Sequence, residues 1–189
     1  MDLTLDPSRT ALVVIDLQKG ILASPRSPHS AEQVVANAGR IAAALRAKGG
    51  FVALVHVGPL DGRDTLHPLT DAPARGGALP PADWTDIDPS LLPHASVVIR
   101  KRQWGAFYGT ELDLQLRRRG IDTILLCGIS TTMGVESTAR DAFERGYNQV
   151  FVEDAMSAMG AEEHEAAVRT TFPRLGRVRS TEDVLATLG

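Results

Sequence analysis

The chain has 189 residues, of which 43% are hydrophobic and 23% charged, an ordinary composition for a globular protein of one domain over residues 1–189. A net charge of −3 gives no electrostatic reason to expect nucleic acid or an anionic membrane as a partner. No apolar run approaches the roughly 20 residues of a membrane span, and the N-terminus lacks the regions of a signal peptide. The single cysteine, Cys127, cannot form a disulfide within the chain, which agrees with a reducing compartment. We therefore expect a cytoplasmic protein.

Short apolar runs rich in β-branched residues alternate with stretches that carry apolar residues at helical spacing. The apolar runs predict strands at residues 11–15, 51–57, 96–99, 123–127 and 149–152, with a weaker one at 177–179. The other stretches predict helices at residues 30–48, 110–120, 132–145 and 161–172, and a last helix capped by Ser180 or Thr181. Such alternation predicts a single-domain α/β fold of the Rossmann-like type, a three-layer sandwich in which helices cover both faces of a parallel sheet.

Residues 58–95 break this alternation, because they are rich in Pro, Gly and Asp and show little periodicity. Long irregular segments inside a compact domain are usually functional loops. We therefore expect this segment to be a loop excursion that faces the substrate.

Three polar elements follow predicted strands. Asp16 ends the first strand, Lys101 follows the third, and residues 128–134 form the loop after the fourth. Ligands of open parallel sheets bind outside the carboxyl ends of the strands, so these elements are expected to converge on one site. By position alone, Asp16 could equally be a helix cap, and the basic run around Lys101 a solvated turn.

Other polar and aromatic residues have simpler interpretations. Cys127 in an apolar strand is predicted to be a small buried hydrophobe, and His56 a core or rim histidine. No group of His, Asp or Cys has the spacing of a metal site, so we expect neither a metal nor another cofactor. The aromatic residues that could line a pocket, or merely pack in loops, are Trp84, Trp104, Phe107 and Tyr108.

Three segments resemble the isochorismatase-like (cysteine) hydrolase family. ALVVIDLQ at residues 11–18 resembles the opening strand with its catalytic aspartate. VIRK at 98–101 with AFYGTEL at 106–112 resembles the segment of the catalytic lysine, and GISTTMGVESTARDA at 128–142 resembles the nucleophile segment. The resemblance implies a six-stranded parallel sheet, a homodimer or larger homo-oligomer, and a cis peptide bond at Ile129–Ser130.

The chain departs from the family at Gly134, which stands where most members have the cysteine nucleophile. Covalent catalysis by a side chain at that position is therefore excluded. Members that resemble true isochorismatases also lack the cysteine, and there the aspartate acts as a general acid on a vinyl ether. The resemblance thus implies hydrolysis of a small, anionic metabolite such as isochorismate by Asp16 and water, with Lys101 beside it.

Two alternatives stay open: an amidase in which Asp16 activates water, which the STTM segment at residues 130–133 favours, and a catalytically silent binding protein on the same scaffold. In each case the N–H groups of Met133 to Val135 are expected to open a helix towards a substrate anion. The residues expected to contact the substrate are Gln18, Trp104, Phe107, Tyr108, Ile129, Ser130 and Met133.

Overall fold

The computed structural model describes residues 3–71 and 80–188, which form a three-layer α/β domain around one parallel sheet. The strands are β1 (Thr10–Ile15), β2 (Phe51–Val57), β3 (Val97–Lys101), β4 (Thr123–Ile129), β5 (Asn148–Ser157) and β6 (Arg177–Arg179). The helices are α1 (Lys19–Leu22), α2 (Ala31–Ala47), α3 (Leu112–Arg118), α4 (Glu136–Glu144), α5 (Ala161–Ala166), α6 (Phe172–Leu175) and α7 (Thr181–Leu188). The predicted fold class and the six parallel strands are confirmed.

The strand order is β3-β2-β1-β4-β5-β6, so the direction of winding reverses between β1 and β4. Ligand crevices open at this kind of switch point in doubly wound sheets. The two central strands approach closely there, because a Cβ on Gly128 would lie 2.1 Å from the Ile15 carbonyl oxygen. Gly128, which also has a φ of +121°, is therefore required at the mouth of the predicted site.

Each face of the sheet carries its own apolar core. Every residue of β1 is buried, as its unbroken apolar run predicts, and its side chains alternate between the two cores. The helices α3, α4 and α6 cover one face through residues such as Leu112, Ala139 and Phe172, while α2 and α7 cover the other. No described helix is long and apolar enough to cross a bilayer.

Three predicted elements differ from the structure. The helix predicted at residues 132–145 begins with a π-helical turn at Thr131–Val135 and becomes α-helical only at Glu136. The helix predicted at 161–172 is likewise divided by a π-helical turn at Ala167–Thr171. The strand predicted at 149–152 continues to Ser157 past the charged residues Glu153 and Asp154, since β5 pairs with β4 again at Met156 and Ser157.

The long segment after β2 is only partly described, since residues 72–79 of the predicted excursion lie outside the described residues. Its described parts include two short 3₁₀ turns, Ala82–Thr85 and Leu92–His94. The first turn packs against α1, a helix that the sequence pattern did not predict.

Candidate active site

Asp16 occupies a left-handed backbone conformation just beyond β1, with a φ of +56°. This conformation is uncommon for a residue other than glycine, and such strain tends to persist at functional sites. The backbone N–H of Asp16 donates to the Val55 carbonyl at 2.8 Å, which holds the residue against β2. The carboxylate is thereby fixed at the switch point, with only 5% of the residue exposed.

Lys101 reaches Asp16 from β3, on the other side of β2. Its ammonium donates to Asp16 Oδ2 at 2.7 Å and to the carbonyl oxygens of Gln103 at 3.2 Å and Trp104 at 2.8 Å. An ammonium has three N–H donors, so these bonds use them all. With 1% of the residue exposed, Lys101 is buried, and a substrate anion would have to displace a carbonyl to bind it directly.

Burial raises the pKa of Asp16 to about 6, although the charge of Lys101 and its hydrogen bond act in the opposite direction. Asp16 Oδ1 is buried and has no hydrogen-bond partner among the described residues. A carboxyl group with a pKa near neutrality can both release and take up a proton in the physiological range. Its unpartnered oxygen is the atom that is free to do so.

Gly134 faces this pair from the π-helical turn. A Cβ at residue 134 would lie 2.8 Å from Ile15 Cγ2, 3.1 Å from Asp16 Oδ2 and 3.4 Å from Lys101 Nζ. The predicted convergence of Asp16, Lys101 and Gly134 is thus confirmed. Glycine therefore presents only backbone to the carboxylate, because a Cβ at this position would already be too close to Ile15 Cγ2.

The loop before that turn corrects one prediction. The Ile129–Ser130 peptide bond is cis, as the family resemblance implied. However, the N–H groups of Met133 and Val135 both donate to the Ser130 carbonyl, at 3.1 and 3.2 Å. The prediction that the N–H groups at this helix start lack partners within the helix is therefore wrong for Met133 and Val135. Ser130 accepts these bonds from the third and fifth residues after it, whereas the carbonyl before a regular α-helix accepts from the fourth.

The other predicted substrate contacts are scattered. Gln18 is buried and its amide binds Val57 N, Val57 O and Trp84 O, so it joins β2 to the following loop. Phe107 is buried in the core against Tyr147, whereas Tyr108 is 76% exposed. Trp104 is also exposed, and its carbonyl group rather than its ring reaches the site.

Three predicted contacts lie within residues 128–134. Ile129 is part of the core, while Ser130 is buried and its Oγ has no hydrogen-bond partner within the described ranges. Met133 is half-buried. Of the predicted contacts, Ser130 is therefore the one with a buried hydroxyl still available for a ligand.

Cys127 and His56 behave as their simpler interpretations predict. Cys127 is fully buried, and burial followed by the charge of Asp154 raises the pKa of its thiol to about 12. His56 is half-buried, and its Nδ1 is 2.8 Å from the Thr85 carbonyl oxygen. It borders an open cavity of about 830 Å³ that Asp16, Lys101 and Gly134 do not line.

A group of metal-ligand types lies near the carboxyl end of β5. Potential ligand atoms of His29, Glu153 and His164 are all within 4.8 Å of one another. The local spacing of ligands in the sequence could not predict this group, because its members come from the loop before α2, from β5 and from α5.

The chain is similar over nearly its whole length to known proteins. Residues 10–183 match the isochorismatase domain. The chain belongs to the isochorismatase family. It is 53% identical over 185 residues to the uncharacterized isochorismatase family protein YwoC of Bacillus subtilis, covering 97% of this chain and 96% of that protein.

Two further relatives extend the comparison. A solved isochorismatase family protein from Burkholderia thailandensis superposes with a TM-score of 0.92 at 46% identity, covering 98% of this chain and 97% of that one. The ureidoacrylate amidohydrolase RutB of Methylobacterium radiotolerans is 30% identical, covering 97% of this chain and 82% of that protein. The site described above therefore lies on the scaffold of an isochorismatase-like hydrolase family.

Proposed function

We propose that the protein is a hydrolase that uses Asp16 and water, without a covalent nucleophile, on a small anionic vinyl ether such as isochorismate. The observation that carries this proposal is that residue 134, which adjoins a buried carboxyl group and a lysine, is a glycine without a side chain. A residue without a side chain cannot form an acyl-enzyme, so the acid must act on the substrate and water directly.

The state of Asp16 supports a role as general acid. Its pKa of about 6 leaves part of the population protonated at neutral pH, and its Oδ1 has no partner among the described residues to compete for the proton. Lys101 keeps the other oxygen, Oδ2, in place. The two oxygens therefore have separate roles, one for position and one for proton transfer.

The reaction follows from this arrangement. Asp16 gives its proton to the methylene carbon of the vinyl ether, which leaves an oxocarbenium ion. Water adds to that ion and returns a proton to Asp16, and the resulting hemiketal breaks its carbon–oxygen bond to release pyruvate and the ring alcohol. The positive charge of Lys101 would attract an anionic substrate even though its donors are occupied.

A second candidate is an amidase in which the Asp16 carboxylate acts as a base and activates water. The similarity to a ureidoacrylate amidohydrolase favours it, together with the STTM segment at residues 130–133. The two candidates require opposite protonation states of the same residue. This difference makes them experimentally separable.

The test is a hydrolysis screen over vinyl ethers, amides and esters with the wild-type chain and Asp16→Asn. Loss of one positioned acid typically costs about 10²–10⁴ in rate, so turnover of the vinyl ether should fall by that factor while the shape of the site is kept. Asp122→Asn is the matched control. Asp122 precedes β4, at the end of that strand away from the site, and its carboxylate binds Arg9. It should retain activity.

Other outcomes would refute the proposal. Turnover of amides alone would favour the amidase, and full activity of Asp16→Asn would exclude Asp16 from the chemistry. Tight binding of a substrate class without any hydrolysis would instead indicate a catalytically silent binding protein.

A further inference from the structure

We propose that His29, Glu153 and His164 form a binding site for one divalent transition-metal ion, with zinc as the best match. The site is separate from the Asp16–Lys101 pair and does not depend on the proposed hydrolysis. Its three residues are distant in the sequence and are brought together by folding: His29 lies in the loop before α2, Glu153 in β5 and His164 in α5.

The ligand set fits this chemistry. Two imidazoles and one carboxylate are a known zinc set, which leaves a fourth position open for water or another ligand. The ligand atoms lie within 4.8 Å of one another, and small side-chain rotations would bring them to zinc at about 2.0–2.2 Å. The rings of His29 and His164 stand almost perpendicular, at 87°, with their centroids 5.6 Å apart, so their edges can converge upon one ion.

His164 is oriented by a buried partner. Its Nδ1 lies 2.9 Å from Thr131 Oγ1, and both residues are buried. A metal-binding histidine usually uses one ring nitrogen for the metal and the other for such a hydrogen bond. With Nδ1 engaged by Thr131, Nε2 remains for the ion.

The backbones that carry the ligands are also fixed. The Ser157 hydroxyl donates to the His29 carbonyl at 2.7 Å, and Ser27 pairs with Ala158 beyond the end of β5. These contacts hold the loop of His29 against the strand of Glu153. Three ligands held on fixed elements lose less conformational freedom on binding than ligands on mobile ones.

An ion can reach this site and would be favoured by its charge. A cavity of about 430 Å³ is lined by the three residues and also by Glu165 and Arg169, whose opposite charges offset each other. The remaining charge of the lining is that of the Glu153 carboxylate, which is negative. Imidazole ligands select zinc and its neighbours over magnesium or calcium, which prefer oxygen alone.

The test measures Zn²⁺ binding to the untagged full chain, after removal of metals, by competition with a chromophoric chelator. One Zn²⁺ should bind per chain, and Co²⁺ in its place should give the visible absorption of a low-coordinate site. Loss of a partner outside the first coordination sphere alone costs about 10–100-fold in affinity, so His29→Ala and Glu153→Gln should each cost at least tenfold.

The controls make the same chemical changes nearby or elsewhere. Glu165→Gln alters an exposed carboxylate of the same cavity, and His67→Ala an exposed histidine outside the cluster. Both should bind Zn²⁺ within about twofold of the wild type. Absence of stoichiometric binding, or an equal affinity in all four variants, would overturn the proposal.

Discussion

The Asp16–Lys101 pair and the His29–Glu153–His164 cluster adjoin the same π-helical turn, yet their polar atoms are satisfied in different ways. The pair is a buried ion pair, and all three N–H donors of Lys101 form hydrogen bonds within the chain. In the cluster, a carboxylate faces two imidazoles beside an open cavity. The first arrangement suits proton transfer without an added ion, and the second suits capture of an ion.

Removing the charge of Lys101 from the pair should lower the free energy of unfolding more than any of the other substitutions does, and should leave the cluster intact. Lys101→Met leaves the Asp16 carboxylate buried without its partner, and loss of one partner of a buried pair typically costs about 3–5 kcal/mol. Zn²⁺ binding should remain unchanged. Lys19→Met removes a surface ion pair with Asp83 and should change stability little.

The loss in Lys101→Met should depend on pH. Lys101 lowers the pKa of Asp16, so its removal moves that pKa upward. When the pKa of Asp16 is higher in the folded than in the unfolded state, the native state binds more protons. Stability then falls as pH rises from the unfolded-state pKa to the folded-state pKa. Urea unfolding should show a larger loss at pH 8 than at pH 5. An equal loss at both values would contradict the assignment of the buried charge.

A smaller effect is expected where the two regions meet. Thr131→Val removes the hydrogen bond to His164 Nδ1 and leaves a buried ring nitrogen without a partner, at a cost of about 1–3 kcal/mol. It should also weaken Zn²⁺ binding by about 10–100-fold. Thr170→Val, at an exposed helical residue, is the control and should change neither quantity. Unaltered Zn²⁺ affinity in Thr131→Val would mean that Thr131 does not orient the cluster.

The smallest effect concerns the packing around Gly134. Gly134→Ala places a Cβ 2.8 Å from Ile15 Cγ2, and overpacking of this kind costs about 1–3 kcal/mol. Replacing a helical glycine with alanine otherwise gains about 0.5–1 kcal/mol, which Gly39→Ala should show because its nearest neighbour, Leu91 Cδ2, is 3.7 Å away. Urea unfolding should therefore show a lower free energy of unfolding for Gly134→Ala and a higher one for Gly39→Ala. Stabilisation by both substitutions would mean that residue 134 accommodates a Cβ without overpacking.

Local sequence patterns predicted the parts of the site that depend on strand position. Because Asp16 and Lys101 come at or just after the ends of apolar runs that predict parallel strands, both could be placed at the carboxyl edge of the sheet. The family resemblance supplied the significance of Gly134. The contact between the three was then confirmed.

The parts that depend on tertiary packing could not be predicted in this way. Nothing in the neighbouring residues Phe107 and Tyr108 indicates that the first ring is buried and the second exposed. The closure of Met133 and Val135 upon the Ser130 carbonyl is a property of the π-helical turn, for which no sequence signal was available. The cluster around His164 joins elements that are distant in the chain, so ligand spacing could not indicate it.

The pH dependence of kcat/KM for a vinyl ether substrate tests whether Asp16 acts as an acid. Only the protonated carboxyl group can donate, and its pKa is about 6. We therefore expect kcat/KM to be highest below about pH 6 and to fall as pH rises through that value, by about tenfold per pH unit beyond it. A value of kcat/KM that instead rises through pH 6 to a plateau would show that the Asp16 carboxylate acts as a base, and would contradict its role as a general acid.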